Sequence, residues 1–429
     1  MEKTYSLKIG KEKMQLVLPE SKVLYHIEGN EYPPITDLAS AIAAAINNPI
    51  DSKPLAQIVT PGDKVAILAS DVTRAWLKMD QFLPIILNNL NSFGIPDQDI
   101  FLVNATGTHR AHTEAENIIT YGQEIVNRIK IYQHNAYDND NLLELGVTSR
   151  GTPVFLNKLV CQADKVILTG GTVYHLMAGY GGGRKSVMPG ISGDKTVQAN
   201  HSIAMHPEVG KGVNPLCQAG ATTGNPLHED MVEVAQMLNP DFLINFAYNA
   251  NGEFAEVVAG NWLTAWEKCC QYVDKIFGIE INKQADLVIA TAGGFPKDIN
   301  LYQGSKTVDN AYFACKQGGT IIFLLECPDI YEPPAFTQWL RFEDIQEFEN
   351  AVRADFSIPA FIAFKLTDTA QKYNCIAVTK PENFEVFKRV GMKTVTNLDE
   401  AYALAQESLP KDFTVTLMPQ GANTLPIIK

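Results

Sequence analysis

The run Val65-Ala-Ile-Leu-Ala-Ser70, which leads directly into Asp71-Val-Thr-Arg74, decides the fold class of this chain. The same arrangement, a short apolar run followed by a turn and a helical pattern, recurs at Ile100-Phe-Leu-Val-Asn104, Lys165-Val-Ile-Leu-Thr169 and Asp286-Leu-Val-Ile-Ala-Thr291. Continuously apolar strands that alternate with helices are typical of parallel sheets covered on both faces. The sequence therefore predicts an α/β protein with two Rossmann-like lobes and mainly parallel sheets.

The length of 429 residues predicts two domains, because a single hydrophobic core stops growing at about 250–300 residues. We expect an N-terminal α/β domain over residues 1–275, which carries the histidine and lysine motifs, and a C-terminal α/β domain over residues 276–408. The active site is expected in the cleft between them. The run Phe413-Thr-Val-Thr-Leu-Met418 predicts one further strand within residues 409–429, and its return to the N-terminal domain is left open.

Composition and charge exclude several classes of protein. Hydrophobic residues make up 46% of the chain and charged residues 19%, which is the composition of a globular protein. The formal net charge of −13 disfavours nucleic acid and anionic membranes as partners, since clustered basic surfaces bind both. We see no signal-peptide pattern, no uncharged apolar run of about 18 residues and no CxxC pair among the seven cysteines. We therefore expect a cytoplasmic protein with reduced thiols and no membrane association.

Polar residues follow each predicted strand, where an open α/β sheet binds its ligands. Asp71 to Arg74 come after the first run, Thr106-Gly-Thr-His109 after the second and Gly170-Gly-Thr-Val-Tyr-His175 after the third. Because imidazole titrates near neutral pH, His109 and His175 on opposite sides of a substrate could alternate as general base and general acid. Such a pair suits a reaction that inverts one carbon. The alternative is that each histidine only makes structural hydrogen bonds.

Two further stretches offer groups for an anionic substrate. Arg74 carries a planar guanidinium that can bind a carboxylate or a phosphate through two parallel hydrogen bonds. Tyr302-Gln303-Gly-Ser-Lys306 places a phenol, an amide and an ammonium at a predicted helix start. An ordinary solvated helix N-terminus is the alternative for this stretch.

The run Gly179-Tyr-Gly-Gly-Gly-Arg184-Lys185-Ser186 resembles a phosphate-binding P-loop but does not match it. Arg184 stands where the pattern GxxxxGK[ST] requires its last glycine. The glycines predict close approach of the backbone to a bulky partner, and Arg184 and Lys185 would supply positive charge for an anion. A flexible surface turn is the alternative. No GxGxxG motif follows a strand, which disfavours a nicotinamide dehydrogenase.

His201 and His206 are five residues apart, whereas two metal ligands on one helical face are about three or four apart. If this segment is helical, only one of the two histidines can reach a given metal ion. That histidine could complete the coordination of a metal held by an organic cofactor. Imidazole alone does not choose among nickel, copper and zinc.

Taken together, these motifs resemble the lactate racemase family. The resemblance covers essentially the whole chain in motif order and rests on Asp71-Val-Thr-Arg74, Gly107-Thr-His109, the segment His175-Leu-Met-Ala-Gly-Tyr-Gly-Gly-Gly-Arg-Lys185-Ser-Val-Met-Pro-Gly190, Asn200-His201 with His206-Pro207, and Tyr302-Gln303-Gly-Ser-Lys306. The long glycine, arginine and lysine segment is the most specific of these elements. Members of this family use a nickel-pincer nucleotide, nickel pyridinium-3,5-bisthiocarboxylic acid mononucleotide.

The resemblance implies a role for each matching residue. Lys185 matches the lysine that holds the cofactor covalently through a thioamide, and His201 matches the nickel ligand. His109 and His175 match the catalytic acid-base pair. The other matches are binding positions: Asp71, Val72, Thr73, Arg74, Gln303 and Lys306 for the cofactor, and Arg74, Tyr302 and Lys306 for the substrate.

The family's reaction, as the resemblance implies it, inverts C2 of a 2-hydroxy acid. One histidine takes the hydroxyl proton while hydride passes from C2 to the pyridinium carbon bound to nickel. The planar 2-keto acid then turns, receives hydride on its other face and is reprotonated by the second histidine. Removal of hydride leaves a neutral ketone beside the carboxylate, whereas removal of the α-proton would add negative charge there. Arg74 and Lys306 would anchor the carboxylate.

Substrate and function each have alternatives. Ala75 and Trp76 follow Arg74 where lactate-specific members tend to carry proline, so a larger aliphatic, aromatic, dicarboxylic or polyhydroxy acid is an alternative to lactate. A 2-hydroxy acid dehydrogenase or lyase without this cofactor, or a non-catalytic protein that binds the cofactor or a hydroxy acid, is the alternative function. The expected partners are a small 2-hydroxy acid and, transiently, the enzymes that synthesise the cofactor.

Overall fold

The computed structural model describes every residue from Met1 to Lys429. Its strands are, in chain order, β1 Glu2–Ile9, β2 Glu12–Pro19, β3 Val23–His26, β4 Val65–Ser70, β5 Ile100–Ala105, β6 Lys130–Gln133, β7 Leu142–Val147, β8 Pro153–Asn157, β9 Lys165–Gly171, β10 Tyr174–His175, β11 Gly179–Tyr180, β12 Phe242–Tyr248, β13 Phe254–Gly260, β14 Gly278–Ile281, β15 Ala285–Thr291, β16 Cys315–Leu324, β17 Asn374–Val378, β18 Lys393–Val395, β19 Val415–Met418 and β20 Leu425–Ile428.

The α-helices are α1 Leu38–Asn47, α2 Met79–Ser92, α3 Glu114–Tyr121, α4 Gln123–Arg128, α5 Lys158–Cys161, α6 Asp194–Ser202, α7 Pro226–Leu238, α8 Thr264–Phe277, α9 Leu301–Ala311, α10 Pro334–Thr337, α11 Ile345–Ala354, α12 Ile358–Lys372, α13 Phe384–Val390 and α14 Leu398–Gln406. No helix is long and apolar enough to cross a membrane.

The N-terminal unit, which comprises Glu31–Ile203 and Leu216–Ile276, is built around a six-stranded sheet. The strand order is β13-β12-β9-β4-β5-β6, and neighbouring strands are parallel except β12 and β13. Ile67 of β4 is fully buried and belongs to one apolar cluster with Phe82 and Ile86 of α2. Helix α2 buries residues spaced three or four apart, so one apolar face covers the sheet.

The C-terminal unit comprises Met1–Asn30, Ala204–Pro215 and Phe277–Lys429 and has its own six-stranded, wholly parallel sheet. The strand order is β18-β17-β16-β15-β19-β3. Hairpin β1–β2 joins the core of this unit because alternate residues of β1 are buried. This period of two is typical of a hairpin that covers a core with one face.

The predicted α/β fold with mainly parallel sheets is confirmed. The four apolar runs quoted from the sequence form the strands β4, β5, β9 and β15 or parts of them. All four are almost completely buried, as expected for parallel strands between layers of helices.

The division of the chain differs from the predicted domain boundaries at both ends. Residues 1–275 were expected to form the N-terminal domain, but Met1–Asn30 belongs to the C-terminal unit, because β3 pairs with β19 and β1–β2 joins that unit's core. The strand expected within residues 409–429 is β19. It pairs with β15 and β3, so it stays in the C-terminal unit and does not return to the N-terminal one.

The segment Ala204–Pro215 also belongs to the C-terminal unit, and Glu349 of α11 holds it there. The buried carboxylate of Glu349 accepts the backbone N–H groups of Gly210 at 2.9 Å and Gly212 at 3.1 Å. Arg353 donates to the same carboxylate at 2.6 Å. Burial raises the pKa of Glu349, but these hydrogen bonds and the charge of Arg353 outweigh burial and hold the pKa below its usual value. The carboxylate is therefore ionised and bonded through both oxygens.

The substitution Glu349→Gln is expected to lower the free energy of unfolding by about 1–3 kcal/mol, because the amide keeps only one acceptor oxygen and turns its NH2 toward an N–H donor. Chemical denaturation measures this change, and limited proteolysis should show faster cleavage within residues 204–215. Glu347→Gln on the exposed face of the same helix is the matched control. Equal stability of the two variants would contradict the role of Glu349.

Candidate active site

Strands β5, β4 and β9 lie side by side in the N-terminal unit, and the segments that follow them carry the polar motifs. Because the three strands are parallel, their carboxyl ends share one edge of the sheet. Asp71 comes directly after β4, His109 follows β5, and His175 follows β9 as part of the small hairpin β10–β11. The fold thus brings three of the predicted residues to the same edge.

Asp71 connects the turn after β4 to His109. Its Oδ1 accepts the backbone N–H of Thr73 at 3.1 Å and the hydroxyl of Thr73 at 2.5 Å, and its Oδ2 lies 2.5 Å from Nδ1 of His109. Burial raises the pKa of Asp71, but the hydrogen bonds from His109 and Thr73 and the charge of Arg74 lower it overall. Both oxygens of this anionic carboxylate are therefore bonded to protein groups.

The hydrogen bond to Asp71 leaves Nε2 of His109 available as a proton acceptor. Its side chain is 54% exposed. Since Asp71 is anionic, the N–H at Nδ1 of His109 donates a hydrogen bond to the carboxylate, which favours the tautomer whose lone pair lies on Nε2. An imidazole in this form is a general base, and the carboxylate stabilises the imidazolium that forms when it takes a proton.

His175 is held in the opposite tautomer, with its proton on Nε2. Its Nδ1 accepts the backbone N–H groups of Ala178 at 3.2 Å and Met177 at 3.4 Å, so the proton of the neutral ring lies on Nε2. Burial, with smaller contributions from the charges of Arg74 and Arg184, lowers the pKa of His175 well below its usual value. At neutral pH this imidazole is an uncharged N–H donor.

Lys185 lies in the single helical turn Gly183–Ser186 that follows hairpin β10–β11. Its side chain is partly exposed at the surface. Even so, burial lowers the pKa of the amine well below its usual value, and the guanidinium groups of Arg184 and Arg74 lower it further. Because a neutral amine is the nucleophilic form of lysine, Lys185 is suited to forming a covalent bond.

The glycines before Lys185 pack against other parts of the protein. Gly182 and Gly183 have φ angles of +68° and +54°, which disfavour other residues. A Cβ atom on Gly182 would lie 2.8 Å from the carbonyl oxygen of Gly171 and 3.0 Å from Oγ1 of Thr172, and one on Gly183 would collide with the ring of Trp266. The bulky partner predicted from these glycines is therefore the protein itself.

Arg184 is fully buried, and the prediction that it supplies charge for an anion is wrong. Its guanidinium donates to the carbonyl oxygens of Ala178 at 2.7 Å and Tyr180 at 2.8 Å, and its Nε donates to Nδ1 of His228 at 3.1 Å. The guanidinium carbon lies 3.9 Å from the centre of the Trp266 ring. Sequence reasoning missed His228 and Trp266, because only the fold brings them to this loop.

His201 on α6 is oriented as a metal ligand would be. Its Nδ1 lies 3.0 Å from the carbonyl oxygen of Val197, one turn earlier, so Nδ1 donates and Nε2 keeps a lone pair. Burial, with a smaller contribution from Lys185, lowers the pKa of His201 to about 3, and the ring is neutral at pH 7. Helix α6 ends at Ser202, so His206 lies outside it. Nowhere in the chain do three or more His, Cys, Asp or Glu side chains converge on a metal position.

The turn after β4 is held by a histidine that the motifs did not single out. His112 Nε2 accepts the backbone N–H of Val72 at 2.7 Å, so that N–H group is already bonded. Arg74 is exposed and donates from Nη1 to Thr73 at 3.3 Å. A guanidinium with an exposed side chain and bonds this long can turn toward a carboxylate.

Tyr302, Gln303 and Lys306 lie in the first two turns of α9 in the C-terminal unit. The predicted helix start is confirmed, since the side chain of Asn300 caps the helix by accepting the backbone N–H of Gln303. Lys306 Nζ donates to Oε1 of Gln303 at 2.8 Å. The amide and the ammonium therefore share one helical face.

Two family models match this chain. The lactate racemase N-terminal domain matches residues 9–212, and the lactate racemase C-terminal domain matches residues 281–425. Together they span most of the sequence and both sheets.

Individual proteins match over almost the same length. The lactate racemase of Thermoanaerobacterium thermosaccharolyticum is 28% identical over 423 residues, which is 97% of each chain, and that of Lactiplantibacillus plantarum is 29% identical over 90% of each chain. The solved apoprotein structure of the first superposes with a TM-score of 0.88 at 27% identity, covering 99% of this chain and 100% of the other. A Thermotoga maritima protein at 17% identity and a TM-score of 0.62 shares the fold. The chain therefore belongs to the lactate racemase family and is an isomerase of the racemase type.

Proposed function

We propose that this protein inverts C2 of a 2-hydroxy acid with a nickel-pincer nucleotide that is attached through Lys185 and coordinated by His201. One observation carries the proposal: His109 offers a lone pair and His175 offers an N–H group at the same edge of one sheet. Inversion of a carbinol carbon by hydride transfer needs a base that takes the hydroxyl proton, and an N–H donor can bind the oxygen while it is a ketone. The two imidazoles are hydrogen-bonded in these complementary forms.

The residues present fit this cofactor. Attachment as a thioamide needs a neutral amine, and the environment of Lys185 favours that form because it lowers the pKa of the amine well below its usual value. Nickel accepts a neutral imidazole nitrogen, and His201 has a lone pair on Nε2 together with a second bond that fixes its ring. A nickel ion with His201 as its one protein ligand needs further donor atoms, which the pincer would provide. The bound nucleotide would supply a reversible acceptor for the hydride of C2.

The protein's own groups would handle the protons and the charge. For one enantiomer, Nε2 of His109 would take the hydroxyl proton, and the Asp71 carboxylate would stabilise the resulting imidazolium. His175 would direct its N–H group at the substrate oxygen. With a 2-keto acid as the intermediate, the proton held by the His109 imidazolium would return to the oxygen when C2 is reduced on its other face.

The anionic ends of substrate and cofactor would be held by the remaining predicted residues. We assign the substrate carboxylate to Arg74 and Lys306, with Tyr302 beside them, and contacts with the cofactor to Asp71, Val72, Thr73, Arg74, Gln303 and Lys306. The relatives' names specify lactate as their substrate. In this chain Trp76, two residues after Arg74, is 44% exposed and packs edge-on against Tyr248. We therefore include acids with larger side chains among the candidate substrates.

Protein produced together with the cofactor-synthesis enzymes is expected to carry a nickel-containing adduct on Lys185, detected by intact mass, peptide mapping and metal analysis. It should convert one enantiomer of a 2-hydroxy acid into a mixture of both, measured by chiral chromatography on lactate and on larger aliphatic, aromatic, dicarboxylic and polyhydroxy acids. Lys185→Ala should lose the adduct, whereas His201→Ala should keep the adduct and lose nickel.

A lactate racemase relative loaded in parallel is the control for cofactor supply. If the relative carries the adduct and this protein does not, the cofactor assignment is wrong. Loaded protein that binds acids from this panel without interconverting their enantiomers would instead indicate a binding protein. Net accumulation of a 2-keto acid would indicate a dehydrogenase.

The substitution Asp71→Asn is expected to lower kcat by about 10²–10⁴-fold, because the amide no longer fixes the proton on Nδ1 of His109 or stabilises its imidazolium. KM should change much less, and kcat is expressed per bound nickel because Asp71 is also assigned to the cofactor. Initial rates of racemisation by the loaded enzyme measure the effect. Asp80→Asn, at an exposed position on α2, is the matched control. An unchanged kcat would remove Asp71 from the mechanism.

A further inference from the structure

Asp230 on α7 is a buried carboxylate without an ion pair. It has no exposed surface, and its partners are all neutral: the hydroxyl of Thr148 at 2.5 Å, the hydroxyl of Thr152 at 2.8 Å and the side-chain amide of Asn200 at 2.8 Å. Burying a carboxylate with neutral donors alone is unfavourable compared with an apolar residue of similar size. However, a carboxylate forms stronger hydrogen bonds with its donors than a neutral acceptor does, so Asp230 holds these three groups firmly.

Asn200 is held in one orientation by these contacts. Its Nδ2 donates to Asp230 and to the backbone carbonyl of Leu227 at 3.1 Å, both on α7. Its side-chain carbonyl oxygen is buried and has no hydrogen-bond partner. Because an unpartnered buried acceptor is unfavourable, the two bonds from Nδ2 must determine how the amide is turned. The C-terminal end of α6 is thereby fixed to α7.

His201 is the next residue after Asn200 and is equally buried. Its ring is fixed to its own helix by the bond between Nδ1 and the carbonyl oxygen of Val197. Two sets of hydrogen bonds therefore determine the position of Nε2 of His201. The first holds the ring to α6, and the second holds α6 to α7 through Asn200. The carboxylate of Asp230 accepts one of the hydrogen bonds that hold Asn200 to α7.

The same helix also contacts the loop that carries Lys185. His228, two residues before Asp230, accepts a hydrogen bond from Arg184, which directly precedes Lys185. Helix α7 thus contacts the residue before the lysine and the residue before the histidine. It is the element against which both are positioned.

We propose that Asp230 is a positioning residue that acts through Asn200 to fix Nε2 of His201 for its bond to nickel, while Lys185 holds the same cofactor. This inference rests on the proposed function, because it concerns the same cofactor. Asp230 touches neither the substrate nor the cofactor in this proposal. Its effect should therefore appear in how firmly the metal is held.

The test uses holoenzyme with the substitution Asp230→Asn. The adduct on Lys185 should form as in the wild type, since the amine is unaffected. Nickel should pass to a chelator about 10–100-fold faster, as expected when a group behind a metal ligand is lost, and the absorption spectrum of the bound nickel should change. Glu233→Gln is the matched control, because Glu233 lies on the same helix and binds Ser149 but not Asn200.

A second variant, Asn200→Ala, distinguishes positioning from a general loss of stability and keeps the test available if Asp230→Asn does not fold. If Asp230 acts through Asn200, the double variant should release nickel no faster than Asn200→Ala alone, whereas independent effects would add. Nickel release at the wild-type rate in a loaded Asp230→Asn enzyme, or additive effects, would overturn the inference alone. A wild-type protein without the nickel adduct would overturn the proposed function and this inference with it.

Discussion

The guanidinium of Arg184 is buried without a carboxylate partner, and the geometry of the candidate site depends on it. Burial lowers its pKa to about 9, so it remains charged at neutral pH. Backbone carbonyl dipoles and the face of Trp266 compensate the charge, and this requires the loop from His175 to Lys185 to wrap around the guanidinium. The same charge adds to the effect of burial in lowering the pKa of Lys185. One buried cation therefore both shapes the loop and favours the neutral form of the lysine that follows it.

Three histidines of this site differ in chemistry because each has a different partner at Nδ1. A carboxylate accepts from His109, a backbone carbonyl lies beside Nδ1 of His201, and backbone N–H groups donate to His175. The first two rings consequently expose a lone pair at Nε2, and the third exposes a hydrogen. In the proposed function, a single residue type would thus provide a base, a metal ligand and a hydrogen-bond donor, and the surrounding hydrogen bonds would decide which.

The sequence predicted the strands well, since they depend on local pattern, and it placed Asp71, His109 and His175 after strands that share one sheet edge. An apolar run such as Val65-Ala-Ile-Leu-Ala-Ser70 is typical of a buried strand in a parallel sheet. The residues that follow such a strand lie at the carboxyl edge of the sheet. The role of Arg184 could not be predicted, because its partners His228 and Trp266 are distant in the chain. The assignment of residues 1–30 failed for the same reason: β3 is paired by a strand near the other terminus.

The path of the chain between the two units has a consequence for how the protein is made. The C-terminal unit is assembled from Met1–Asn30, Ala204–Pro215 and Phe277–Lys429, so β3 leaves the ribosome long before the strand it pairs with, whereas β1 and β2 pair with each other. Strand β3 must wait for β19, which follows it much later in the chain. The N-terminal unit, in contrast, is complete once Ile276 has emerged. Vectorial synthesis therefore favours formation of the N-terminal unit, with its lysine and histidine motifs, before β3 and hairpin β1–β2 are incorporated into the C-terminal unit.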